Sequence, residues 1–336
     1  MKKYFRSCTL FLLAGLFTSI CLDAQESPVR SNDVIQRRLE RLADSFPGKI
    51  GIFARDIETG AEGGFNADDQ FPMASTYKVA IMVQVFRGVD AGQLSLDQRI
   101  PLGESDRRLG SGLLPYMTPG LNPTLHDLLL LMITLSDNEA TDLLLKRVGA
   151  ANVTATLRQL GVRNMRVDRS TEEVIGDWLA SADPSFRGLQ ATEVLAHPEK
   201  FSKLSHEQIE RADRAIVDDP RDHTSPRAMA DLLTKIFRAE AASQKSCRDM
   251  LDIMQQQQLR TRIHRYLEDV TIASKNGTIG YVTNDAGILY AGKQHIVLSI
   301  YTLKANSEVT TEQAEERIGR IARAAYDYFE DATSVR

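Results

Sequence analysis

The sequence predicts an α+β fold: an antiparallel sheet built from both chain ends and flanked by helices, with an inserted all-helical lobe. Three observations predict it. Strand-like alternation appears at residues 49–57 (KIGIFARDI). It returns only at 270–274, 286–290 and 296–302. Between these ends, apolar residues recur at helical spacing.

Taken in order, Lys2, Lys3 and Arg6 precede an apolar run from Cys8 to Ile20 that is too short to span a bilayer. Leu22-Asp23-Ala24 offers a small-residue cleavage site, so residues 1–24 read as a signal peptide and the protein is expected to be exported, periplasmic or secreted. Cys247 is then the single remaining thiol, and no internal disulfide is expected. Asn32 is expected to cap a helix carrying Ile35, Leu39 and Leu42. After the 49–57 strand, Glu58-Thr59-Gly60 signals a turn into a second strand. Pro72 and Ser75 open an apolar helix over 78–89, and the Gly- and Pro-rich stretch 101–124 reads as loop. Helices follow over 126–135 and 138–148. Residues 170–222 read as irregular, apart from a helical stretch near 205–217. Helices from Pro226 and over 246–257 complete the middle. The carboxyl-terminal strands are expected to turn at Thr283-Asn284-Asp285, and an amphipathic helix over 311–329 ends the chain.

Composition narrows the function. The chain has 336 residues, 43% apolar and 26% charged, with a formal net charge of -4. That balance fits a globular protein, and the lack of a basic block argues against nucleic acid as a partner. The six histidines show no ligand spacing, so no metal site and no cofactor are expected. There is neither a phosphate-binding glycine loop nor a Gly-x-Ser-x-Gly elbow.

Three short motifs carry chemistry. Ser75-Thr76-Tyr77-Lys78 places a hydroxyl and an amine on one face of a helix start. A partly desolvated lysine can take the serine proton, and the helix N-terminus favours a developing oxyanion. Ser136-Asp137-Asn138 lies between two helical runs. It reads either as a helix restart capped by Asp137 or as a hydroxyl and an amide turned into a cleft. Lys275-Asn276-Gly277-Thr278 sits on a strand, read either as a strand ending in a glycine bulge or as an edge that a substrate backbone can approach.

In this order, Ser-x-x-Lys, Ser-Asp-Asn and Lys-x-Gly form the signature of class A β-lactamases and penicillin-binding proteins. With their flanks FPMASTYKVAIM, LLLLMITLSDNEATDLLL and SKNGTIGYVTNDAGILY, they make the sequence resemble the class A β-lactamase family over residues 31 to 330. The resemblance implies one domain over 25–336, with an α/β lobe at about 31–74 and 262–330 and a helical lobe at about 75–261. It implies an acyl-enzyme mechanism that opens the β-lactam ring. Ser75 is the nucleophile, Lys78 its basic partner, and Ser136 the relay to the leaving nitrogen. Asn138 binds the substrate's side-chain amide, and the N–H groups of Ser75 and Thr278 form the oxyanion hole. Lys275 holds the substrate carboxylate with Arg262, while Asn276 and Gly277 complete the binding strand. A small-molecule β-lactam or peptidoglycan-like substrate and a monomer are implied.

The likeness breaks on the omega loop. Aligned on Asp168-Arg169, the family's glutamate base falls on Thr171 and its asparagine on Ile175. Counting from Ser136 instead brings Glu172 near the base position, and Glu173 follows it. Both glutamates also read as solvated loop residues. Arg169 and Asp222 match the ion pair that closes this loop, which makes it unusually long, with an insertion at about 176–217 expected to reshape substrate access. Asn276 replaces a hydroxyl residue. Two alternatives therefore stand beside the β-lactamase: a D-alanyl-D-alanine carboxypeptidase or esterase-like hydrolase, and a slowly deacylating β-lactam-binding sensor.

Overall fold

The computed structural model describes residues 29–334 except Ser202. The signal-peptide reading of residues 1–24 lies outside the described residues.

Helix α1 (Val29–Asp44) leads into strand β1 (Gly48–Asp56), which hairpins into β2 (Glu62–Phe65). Asp56 Oδ1 accepts the Glu58 and Thr59 N–H groups at 2.9 and 3.0 Å, which fixes that turn. The strand pair β3 (Phe71–Pro72) and β4 (His223–Thr224) stands apart from the main sheet. A 3-10 turn, Ala74–Tyr77, runs directly into α2 (Lys78–Asp90). The helical region continues with α3 (Leu125–Thr134), α4 (Asn138–Val148), α5 (Ala150–Gln159), α6 (Thr171–Ala182), α7 (Ala191–Ala196), α8 (Pro198–Phe201), α9 (His206–Asp218), α10 (Pro226–Phe237) and α11 (Gln244–Gln255). The chain returns through β5 (Thr271–Ile279), β6 (Val282–Ala291) and β7 (Gln294–Lys304) to α12 (Thr311–Ser334).

The sheet order is β2-β1-β7-β6-β5, with every neighbour antiparallel. Side-chain alternation sorts its residues to two cores. Ile50, Ile52 and Ala54 of β1, with Ile296, Leu298 and Ile300 of β7, pack on α1 and α12. Phe53, Val297 and Tyr301 face the other way, into the helices of the middle region. Helix α2 is buried on nearly all sides, from Val79 to Phe86, as a central helix must be. It carries the Ser75–Lys78 segment to the junction between sheet and helices.

Four expectations change in the structure. Asn32 lies inside α1 rather than capping it. Helix α5 was not predicted; it starts directly after Gly149, whose φ is +77°. Residues 170–222 are mostly helical, because polar residues there act as caps. Ser170 with Glu173, and Ser205 with Gln208, form reciprocal capping boxes at α6 and α9. Thr283-Asn284-Asp285 does not turn but pairs inside β6 with Thr278, Gly277 and Asn276. Asn284 stays polar because its amide donates to the Pro72 and Met73 carbonyls at 2.9 and 3.2 Å. The turn falls at Gly280-Tyr281, with Gly280 at φ +51°.

Candidate active site

Ser75 sits in the 3-10 turn before α2, and Lys78 is the first residue of that helix. Ala74 just before Ser75 takes φ +46°, a left-handed conformation that costs a residue with a Cβ and presents the serine sharply. Strand β5 lies close under this turn: a Cβ on Gly277 would meet the Ser75 nitrogen at 2.7 Å. Glycine is required there so that β5 and the serine turn can touch. The β5–β6 register runs unbroken through Gly277, so the strand has no bulge at this point.

The Ser136–Asn138 loop restarts the helix as its capping reading expects, and of its two polar site candidates Asn138 lines the cavity. Asp137 caps α4 through the Ala140 N–H at 3.0 Å. Its other oxygen accepts the Leu113 and Leu114 N–H groups at 2.7 and 2.9 Å, which ties down the 101–124 loop. Ser136 adopts the left-handed φ of +57° at the break between α3 and α4. Lys78 Nζ donates to the Ser136 carbonyl at 2.7 Å, to Ser136 Oγ at 3.1 Å and to Asn138 Oδ1 at 2.8 Å. Its donors are thus directed at the loop, and among the described hydrogen bonds none joins Lys78 to the Ser75 hydroxyl. Ser111, which sequence reasoning missed, also donates to the Ser136 carbonyl, at 2.6 Å.

All three acceptors of Lys78 are uncharged, and the amine is fully buried. Burial therefore disfavours the ammonium and brings its pKa down to about 7, against the upward pull of Asp137 and Asp142. Lys275 is also fully buried, with Nζ on the Asn276 carbonyl at 2.8 Å. Burial, then the nearby Lys78 charge, hold its pKa well below the usual lysine range, and Asp285 opposes them. Asp285, buried across the ladder from Asn276, is pushed up to about 6 by desolvation.

A cavity of about 360 Å³ opens over Ser75. Ser75, Ser111, Asn138, Thr171 and Thr278 give it a polar side, and Val174, Ile175, Trp178 and Ile279 an apolar one. No aspartate or glutamate lines it among the described residues. Lys78 and Ser136 stand behind the polar side, while Lys275 and Asn276 are buried along β5 beyond it.

Two predicted site residues are placed differently from expectation. Glu172 does not line the cavity. Its carboxylate pairs with Arg108 at 3.2 Å and is 41% exposed, because Asp142 accepts the Thr171 and Glu172 N–H groups and fixes how α6 starts. Glu173 is held at Ser170 as a cap, donors Ser170 N–H and O–H lying 2.7 and 3.0 Å from Oε2. Arg262, expected at the substrate carboxylate, does not line the cavity. It is 2% exposed, pairs with Glu315 at 3.1 Å, and donates to the Gly277 and Asn284 carbonyls at 3.0 and 2.7 Å and to Thr278 Oγ1. It braces β5 from behind.

Arg169 and Asp222 meet at 2.7 Å, as the family resemblance implies. Arg169 also reaches Asp177 at 2.7 Å and Asp219 at 3.0 Å, so one buried guanidinium ties α6 to both ends of the intervening segment. Trp178, the single tryptophan of the chain, was not singled out by the sequence reading; only its place on α6 reveals it as a wall residue.

Comparison with known proteins agrees with this architecture. A model described as the beta-lactamase enzyme family matches residues 34–329. The beta-lactamase from Sphaerobacter thermophilus is 28% identical, covering 91% of this chain and 98% of that one, with a TM-score of 0.68. An ancestral class A beta-lactamase, GNCA, is 26% identical over 87% of this chain and 99% of that one, with a TM-score of 0.69. PBP-A is 25% identical over 89% of this chain and 96% of that one, with a TM-score of 0.70. A leucine-to-glutamate mutant of PBP-A has a structure as an acyl-enzyme complex with penicillin G. The chain described here belongs to the beta-lactamase enzyme family.

Proposed function

We propose that this member of the beta-lactamase enzyme family opens the β-lactam ring through an acyl-enzyme on Ser75, and that the ester is released slowly. The observation that carries acylation is the buried Lys78 amine, with a pKa of about 7, directed at Ser136 and Asn138 beside Ser75. Near neutral pH a large fraction of that amine is uncharged and can accept a proton.

The Ser75 hydroxyl attacks the lactam carbonyl carbon. Its proton passes to Lys78, and the carbonyl oxygen becomes an oxyanion facing the N–H groups of Ser75 and Thr278. The ring C–N bond then breaks as Ser136 delivers a proton to the leaving nitrogen, replaced in turn from Lys78. Atoms balance: the ring opens, the serine is esterified, and no fragment leaves. Asn138 serves the substrate's amide, and Lys275 with Asn276 serves its carboxylate, an anion that would draw the Lys275 pKa upward.

Slow release is supported by the other side of the cavity. Hydrolysis of the ester needs a water and a base to activate it. Thr171 and Ile175 stand on the wall, and Glu172 and Glu173 are committed to Arg108 and Ser170. The penicillin G acyl-enzyme of a PBP-A mutant, a structure 25% identical to this chain, supports the acylation half of the reading. A peptidoglycan-like peptide or an ester is a second substrate class for the same serine. The leader read at residues 1–24 would place the activity outside the cytoplasm.

Intact mass of residues 25–336 after addition of benzylpenicillin tests the proposal, with Ser75→Ala beside it. The expected result is a Ser75-dependent adduct with the full mass of the penicillin that persists for many minutes. An adduct that clears with product formation overturns slow release. No adduct and no hydrolysed product overturn β-lactam chemistry at this site.

A further inference from the structure

Helix α6 stands between two cavities. Val174, Ile175 and Trp178 face the one over Ser75. Glu173, Gly176, Asp177 and Ala180, at i, i+3, i+4 and i+7, face a second one of about 650 Å³ on the other side. The end of α9 and the turn at Arg187-Gly188 complete it. All of these elements belong to the long segment between Arg169 and Asp222. Gly176, Ala180 and Ala215 carry little or no side chain, and that leaves the space open.

The charged groups around this cavity do not satisfy one another. Glu173 and Asp177 lie one turn apart on α6. Each has one oxygen engaged. Glu173 Oε2 accepts the Ser170 N–H at 2.7 Å, and Asp177 Oδ2 accepts from Arg169 and Arg221 at 2.7 and 2.8 Å. Among the described residues, no hydrogen bond reaches Glu173 Oε1 or Asp177 Oδ1. Arg221 is held by Asp219 as well, at 2.6 Å. Arg187 differs from it. It is exposed, and among the described residues it has neither a hydrogen bond nor an ion pair. One cavity thus has an acidic edge on α6 and a free guanidinium on the Arg187-Gly188 turn.

We propose that this cavity is a second binding site, for a short peptide whose two ends are free: its ammonium lies between Glu173 and Asp177, and its carboxylate on Arg187. The site stands apart from the cleft over Ser75 and does not depend on the acylation reading. The charges select the ligand class. A simple anion would enter beside Glu173, Asp177 and Asp219, and a simple cation beside Arg187 and Arg221, so each would meet like charge. A zwitterion meets opposite charge at both ends. A cavity of this volume suits two or three residues rather than a single amino acid. Ala180, Ala215 and Ile216 give small apolar side chains a surface to cover. The peptide would also touch the two residues that set how α6 stands: Glu173 caps the helix, and Asp177 ties it to Arg169.

Calorimetric titration with trialanine tests the site, in the unaltered protein and in two variants. One peptide should bind per chain, saturably. Acetylating its amine or amidating its carboxylate should each weaken binding about fivefold, the upper range for an exposed charge pair. Arg187→Gln, at an exposed position, should weaken trialanine to the same extent and leave the amidated peptide no worse than the free one. Ala180→Phe, which fills the cavity from α6, should abolish binding. Neither residue lines the cavity over Ser75, so penicillin labelling of both variants should match that of the unaltered protein. Absence of saturable trialanine binding would overturn the inference, as would equal binding of the free and capped peptides. Binding that survives in both variants would place the peptide elsewhere and overturn it too. A protein that binds trialanine in this way but takes no penicillin adduct would overturn the acylation reading alone.

Discussion

The two sides of the cleft treat charge in opposite ways. On the α2 and β5 side, Lys78 and Lys275 are fully buried and their amines meet carbonyls, hydroxyls and amides. On the α6 side, each nearby acidic residue is tied to a partner away from Ser75: Glu172 to Arg108, Glu173 to Ser170, Asp142 to the start of α6, and Asp177 to Arg169. A buried amine without a carboxylate partner drifts toward neutrality and can move protons. A carboxylate held by a partner elsewhere is unavailable to a water over the ester. On the proposed reading, the difference means that one wall forms the ester and the other holds it.

The comparison is broken most forcefully at the serine and its lysine. Ser75→Ala should abolish covalent labelling by penicillin, and Lys78→Met should slow it about 10²- to 10⁴-fold, the span of proton-transfer catalysis. Rapid labelling of either variant, followed by intact mass, would remove the polar side from the account. Next in size is the clamp that holds the apolar side. Arg169→Met strands Asp222 in a buried setting, and breaking such a pair costs about 3–5 kcal/mol. Urea denaturation should show that loss; a midpoint within error of the unaltered protein would mean that the clamp is not structural.

The pH dependence is gentler. With the Lys78 pKa near 7, the acylation rate should climb about tenfold per pH unit below that value and level off above it. The sign follows from which form reacts: the neutral amine is the base, and it dominates above its pKa. The linkage runs the same way. The unfolded chain binds this proton more tightly, with a pKa near 10.5, so Lys78 lowers stability most below about pH 7 and this penalty fades toward pH 10.5. A flat rate profile from pH 5.5 to 8.5 would deny Lys78 the role. Smallest is Glu172→Gln, a change at an exposed ion pair, which should alter the adduct lifetime by about twofold at most. A tenfold longer lifetime would return Glu172 to the reaction.

How much of this was legible in the sequence depended on the range of the forces involved. The sheet was readable because Ile50, Ile52 and Ala54 alternate with Phe53, and alternation is a local signal of a strand between two cores. The polar side of the cleft was readable because its motifs are short and each fixes one local turn. The α6 wall was not, because its orientation follows from contacts far apart in sequence. Asp142 reaches forward to Thr171, and Trp178 reaches to Asp213. Glu173 was the exception that sequence could have settled. Ser170-Thr171-Glu172-Glu173 is a capping box, which assigns Glu173 to a backbone and starts a helix where the polar composition suggested loop. Arg262, expected beside Lys275 at the substrate carboxylate, could not be placed from sequence because the β5 carbonyls and Glu315 that enclose it are distant in the chain.

The central claim is that an ester forms readily on Ser75 and lasts because the facing wall holds no carboxylate. The most direct test is the lifetime of the penicillin adduct by intact mass, in the unaltered protein and in Thr171→Glu, which adds a carboxylate to that wall. The account predicts a long-lived adduct in the first and a lifetime at least about tenfold shorter in the second. Rapid clearance already in the unaltered protein, no faster in Thr171→Glu, would contradict it.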